Sequence, residues 1–111
     1  MAKTCMLLVL SNPVAGREDE YNNWYTNTHL VDVLKLPGAV AAKRFKLSDT
    51  QRGEPPYEFK YMAVYEVEKD RVKDFVEALK ARSGTKEMVS STAMDPHRLS
   101  LFFEPFAERV K

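Results

Sequence analysis

The chain has one cysteine, four glycines and only two histidines. It has no apolar run long enough to cross a membrane. Each scarcity excludes something. A lone cysteine cannot form an intramolecular disulfide, which fits a reducing cytosol. Cys5 sits in an apolar run, so its expected state is a small buried hydrophobe rather than a nucleophile. The glycines are unclustered, which excludes a Gly-rich phosphate loop. No G-x-S-x-G segment or Cys–His set is present, which disfavours covalent hydrolysis. The longest apolar stretch, Met6 to Leu10, is too short for a membrane span, and no leader-cleavage pattern follows it. The expectation is a cytoplasmic chain with no membrane partner. An excess of one charge is also missing. Seventeen basic and sixteen acidic residues give a net charge of +1. They are interleaved, so no nucleic-acid partner is expected. Two histidines far apart, with no HxH or HxxE pattern, predict no metal site. No signature favours haem, and no cofactor is expected.

What remains is ordinary globular composition. Hydrophobic residues make up 44% and charged residues 30% of 111 positions. That size and mix predict one domain, residues 1–111, with a single core. Thr4 to Ser11 is a strand-length run apolar at both parities, so it predicts a strand covered on both faces. It ends at Asn12-Pro13. Glu18 to Thr28 has helical spacing, with Tyr21, Trp24, Tyr25 and Thr28 on one face and three acidic residues in the first turn. Leu30 to Leu36 reads as a further turn, closed by Pro37-Gly38. Ala39 to Leu47 predicts a second strand, Ser48 to Pro56 a loop, and Glu58 to Val67 a third strand. In the third strand Phe59, Tyr61, Ala63, Tyr65 and Val67 share a face. Asp70 to Arg82 predicts a second helix that buries Val72, Phe75, Val76 and Leu79, with Asp70 as its cap. Ser83 to Asp95 is polar and irregular. Arg98 to Phe103 predicts a fourth strand. Phe106 in the tail suggests that the tail docks.

The order is β-α-β-β-α-β. It predicts an α+β, ferredoxin-like fold: a four-stranded antiparallel sheet with two helices on one face. The other face still carries large apolar groups, among them Met6, Leu8, Met62 and Val64. An apolar face of that kind implies a partner, and the simplest is a second copy packed sheet to sheet.

One stretch concentrates reactive groups. His29 follows the aromatic helix face, beside Tyr25. A base or acid is one reading of it, because imidazole titrates near neutral pH. A helix-terminal cap is the other. Tyr21 and Trp24 read as core. Tyr25, Tyr61 and Tyr65 could present phenols to a pocket, or form a dry hydrogen-bonded core. Arg44, in the second strand, is a solvated edge charge or a binder of carboxylate or enolate. Asn12 is a turn residue or a donor to a substrate oxygen. His97 reads as a surface residue.

Several of these residues together form a recognisable pattern. Ser11-Asn12-Pro13 follows the first strand, and Tyr21-x-x-Trp24-Tyr25-x-x-x-His29 comes next. Then come Leu30-x-Asp32-Val33-Leu34-x-Leu36-Pro37-Gly38, Arg44-Phe45, and Tyr61-x-Ala63-x-Tyr65-Glu66. In these segments, which span most of its length, the chain resembles the EthD-like members of the dimeric α+β barrel superfamily. The W-Y-x-x-x-H…L-P-G part is the specific one. The resemblance implies a homodimer of ferredoxin-like subunits with a pocket between helices and sheet. It also implies small-molecule chemistry, since relatives on that fold include cofactor-independent monooxygenases, cyclases, isomerases, dehalogenases and haem-degrading enzymes.

The expected function is binding of a small apolar, aromatic or polyketide-like molecule, with cofactor-independent proton transfer of isomerase, cyclase or lyase type. His29 would be the base or acid. Tyr25, Tyr61, Tyr65, Arg44 and Asn12 would contact the substrate. The alternatives are a cofactor-independent monooxygenase and a non-catalytic ligand-binding dimer.

Overall fold

The computed structural model describes residues 3–111. Strand β1 (Thr4–Ser11) leads through a Pro13–Gly16 turn into α1 (Glu18–Trp24). The helix continues without a break through a π-helical turn (Tyr25–His29) into α2 (Leu30–Val33). Strands β2 (Ala39–Lys46) and β3 (Tyr61–Glu68) follow, then a 3-10 turn (Lys69–Arg71), α3 (Val72–Arg82) and β4 (Leu99–Phe103). All strand pairs are antiparallel, in the order β2-β3-β1-β4. This is the ferredoxin-like α+β arrangement, with the two helical segments on one face of the sheet.

The register explains the core. Leu7 lies opposite both Tyr65 of β3 and Phe102 of β4. Because side chains alternate along a strand, Cys5, Leu7 and Ser11 point toward the helices together with Tyr61, Ala63, Tyr65 and Val67. All seven are buried. Tyr21, Tyr25 and Val33 descend onto them from the first helix, and Phe75 from α3, where it is fully enclosed. Cys5 is buried as expected, and burial pushes its thiol pKa up.

The opposite parity stays uncovered. Met6 pairs with Phe103, Leu8 with Leu101, and Leu10 with Leu99. Met62 and Val64 continue the surface across β3, and Phe45 extends it to β2. Phe103, at 54% exposed, and Leu101, at 46%, are large apolar groups facing outward. A contiguous surface of this kind is unusual on a soluble monomer.

Three local expectations need correction. Asp70 does not cap α3: the chain enters that helix through the 3-10 turn, and no side chain caps its first turn. Strand β3 begins at Tyr61 rather than Glu58, because the Asn12 side chain occupies the backbone there. It accepts from the Lys60 N–H at 2.7 Å and donates to the Glu58 carbonyl at 2.8 Å. Residues 83–95 are irregular as expected, and they are packed down. Met88 and Ala93 are buried. Backbone bonds from Val14 to the Ala93 carbonyl (2.7 Å) and from Asp95 to the Asn12 carbonyl (2.9 Å) fasten the segment to the end of β1. Phe106 does not dock on its own chain and is wholly exposed.

Gly38 closes the turn before β2 with φ +83°, and a Cβ there would meet the Arg71 Cβ at 2.8 Å. Gly16 has nearly the same φ, +80°, but open space around it. Each Gly→Ala change forces a left-handed conformation that costs about 1–2 kcal/mol. Only Gly38→Ala also drives a side chain into a packed contact. In urea denaturation Gly38→Ala should lower stability clearly more than Gly16→Ala; equal losses would refute the packing argument.

Candidate functional site

The π turn shapes the site. Its defining bond runs from the Leu30 N–H to the Tyr25 carbonyl, five residues back. In an unbroken α-helix, residues five apart point about 140° away from each other. A π turn brings such residues nearly into line. Trp24 and His29 are five apart, and their rings stack at 4.7 Å with an interplanar angle of 23°. Tyr25 meets the same imidazole edge-on at 5.1 Å. The helix therefore presents an indole, a phenol and an imidazole as one surface.

That surface forms one wall of a cavity of about 300 Å³. Trp24, Tyr25, His29 and Val33 contribute from the helix. Leu7, Val9, Tyr65 and Ser100 form the sheet side, and Leu79 of α3 contributes from its end. The remaining wall is the irregular segment, through Ser83, Met88, Val89, Ser90, Ser91 and Met94, with Arg98 close to β4. The Trp24 indole N–H donates to the Val89 carbonyl at 2.9 Å. The Arg17 guanidinium donates to the Thr92 carbonyl and hydroxyl at 3.1 and 2.9 Å. Both contacts hold the irregular wall against the helix.

His29 is mostly buried, and its Nδ1 has no hydrogen-bond partner among the described residues. Burial is the main reason that its pKa is pushed down to about 4. Nearby Asp32 opposes the shift and Arg98 reinforces it. The imidazole is therefore neutral at physiological pH, with one ring nitrogen able to accept a proton. The Tyr65 hydroxyl donates to the Tyr25 hydroxyl at 3.4 Å. Burial pushes both phenol pKa values up, so both stay protonated. The Tyr25 hydrogen then has no acceptor among the described residues.

The expected site residues divide into two groups. His29, Tyr25 and Tyr65 come together around the cavity. Arg44, Tyr61 and Asn12 do not line it. The Arg44 guanidinium lies over the rings of Tyr25, Tyr61 and Tyr21, at 4.5, 5.2 and 5.3 Å. It donates to Thr26 and to Asn22, both at 3.0 Å. Tyr61 donates to the Glu18 carboxylate and accepts from Asn22 at 3.1 Å. These residues bind the helix to the sheet. Asn12 holds the approach to β3. His97 is exposed, as expected; it bonds Glu58 at 2.8 Å and stacks on Phe59.

Trp24 was expected in the core; it packs against the core and also lines the cavity. Arg98 and the 83–94 wall were not anticipated. The signal for the wall was two methionines, Met88 and Met94, isolated among serines and threonines. Among the described residues no three His, Cys, Asp or Glu side chains converge as metal ligands. No protein-family model matches the chain, and no curated protein matches it as a relative.

Neutral His29 has a consequence that can be measured. The folded state disfavours the imidazolium, so the unfolded chain takes up an extra proton between about pH 6.5 and 4. Stability is complete above that window and falls through it, by up to about 3 kcal/mol. His29→Gln should remove this pH dependence in denaturant titrations. Trp24 is the chain's only tryptophan, and an imidazolium stacked on indole quenches its fluorescence. Emission should hold steady down to about pH 5 and then drop with a midpoint near 4. A midpoint near 6.5 would mean that the ring is solvated.

Proposed function

We propose that the cavity binds a small, largely apolar, aromatic or polyketide-like molecule and that neutral His29 moves a proton on it. The observation that carries this is a mostly buried imidazole, neutral and with no hydrogen-bond partner among the described residues, lining a cavity walled by Trp24, Tyr25 and Tyr65. A buried polar atom normally has a partner. An imidazole that lacks one and lines a cavity of ligand size suits a group supplied by a ligand. The reaction class is cofactor-independent proton transfer, as in an isomerase, cyclase or lyase. His29 takes the proton, and the Tyr25 hydroxyl, itself held by Tyr65, donates to the oxygen on which negative charge develops. The likeness to EthD-like proteins belongs to this proposal and agrees with the fold.

We also propose that the working form is a homodimer. The uncovered sheet face supports a second copy as its occupant. It is apolar at the centre and carries both charge signs, Lys43 on β2 and Glu66 on β3. Such a mixture suits self-pairing better than a partner of one net charge. The unattached Phe106 adds apolar surface beyond β4.

Two measurements test these statements. The wild-type protein should speed hydrogen–deuterium exchange at carbons next to the carbonyl of aryl ketones, read by NMR, and His29→Gln should return the rate to that of buffer. Exchange no faster than buffer across such a panel, or unchanged in His29→Gln, would refute the proton-transfer proposal. In sedimentation the wild type should run as a dimer at micromolar concentration and Leu101→Lys as a monomer, because the lysine places a charge on the open face. A monomeric wild type would refute the pairing.

A further inference from the structure

Arg98 is the only lysine or arginine among the side chains lining the cavity, and no carboxylate lines it. It lies two residues before Ser100, another lining residue, at the start of β4. Four of the six other arginines are engaged; Arg52 and Arg109 do not line the cavity. Arg17, Arg71 and Arg82 pair with Glu20, Asp74 and Glu87, and Arg44 is bonded to Thr26 and Asn22. Among the described residues Arg98 makes neither an ion pair nor a side-chain hydrogen bond. It is exposed, so its guanidinium can meet a ligand without first losing all of its water. Its charge also reaches inward: it lowers the proton affinity of both His29 and Tyr25.

The cavity thus pairs an apolar aromatic interior with a single unpaired cation. An uncharged ligand would leave that cation unused. A ligand with two negative charges would meet only one positive partner. Guanidinium presents a planar fork that matches a carboxylate with two parallel hydrogen bonds. We infer that the ligand is an aromatic monocarboxylate, its carboxylate held by Arg98 and its ring lying toward Trp24 and Tyr25. This rests on the cavity being a ligand site, and adds the charge and chemical class of what enters it. Arg98 is then the residue that selects for charge, while the interior selects for the ring.

Benzoate and benzamide are nearly equal in shape and differ in charge, so they separate the two selections. Each is titrated against the intact protein, with Trp24 fluorescence as the readout. Benzoate should bind at least tenfold more tightly than benzamide, and added salt should weaken benzoate alone. Arg98→Gln should bring the two within twofold of each other and leave benzamide unchanged. Arg98→Lys should restore part of the preference, since it keeps the charge and loses the fork. Arg98 has no partner in the fold, so these variants should melt with the wild type. Equal binding of both probes by the wild type, or a benzoate preference that survives Arg98→Gln, would overturn the inference while the ligand site stands. If neither probe changes Trp24 emission at millimolar concentration, the ligand site itself is refuted.

Discussion

The π turn at Tyr25–His29 is the constraint on which the site depends. A regular helix of this sequence would still bury Tyr21 and Tyr25 on the sheet, since i and i+4 share a face in either geometry. It would turn Trp24 and His29 apart, and the stack would be lost. With Trp24 displaced, its bond to the Val89 carbonyl would go too, and with it one fastening of the irregular wall. A single inserted residue thus sets the imidazole's environment and the shape of the cavity around it. Wide turns inside helices are uncommon and often mark functional sites. This one is held from below by buried Tyr21, Tyr25 and Val33, so packing offsets the poorer helical geometry.

The aromatic helix face is consequently used twice. At its first end Tyr21 bonds Ser11 at 2.6 Å, and Arg44 lies beneath three rings with its Nε enclosed and unpartnered. That guanidinium is already engaged by π faces and two side-chain oxygens. It stiffens the joint between helix and sheet. At the other end Arg98 has no such partners and meets the cavity. Two arginines on the helix-covered side of the sheet differ in role because one is surrounded by rings and the other by water.

Strand limits were legible where alternation was clean. Thr4–Ser11 was read from a run bounded by Asn12-Pro13, and those are its limits in the structure. The α+β order followed from the same kind of evidence along the chain. Long-range effects were not legible. Nothing near Glu58 announces that the Asn12 side chain will take up its backbone and delay β3. Nothing near Thr85 shows that Met88 will be buried, or that Val89 will accept a bond from Trp24, more than sixty residues earlier in the chain. The π turn left no mark in a periodicity that suits a helix in either form. For the site, His29, Tyr25 and Tyr65 were readable because the helix and the strand each have a fixed period. Arg98 was not, since its position depends on how the preceding irregular segment closes over the sheet.

A histidine with a pKa near 4 is always available as a base at neutral pH, but it is a weak one. The depression comes mainly from burial, and a smaller part from the positive charge of Arg98. A carboxylate bound at Arg98 offsets that positive charge, which raises the pKa, while the water it displaces lowers it. The anion that Arg98 would hold therefore removes the smaller of the two causes that weaken the base. A neutral ligand of equal shape would dry the cavity as much without that offset, and so leave a weaker base than the carboxylate does. Charge recognition at the mouth and proton affinity inside are coupled through ordinary electrostatics, with no movement of the fold required.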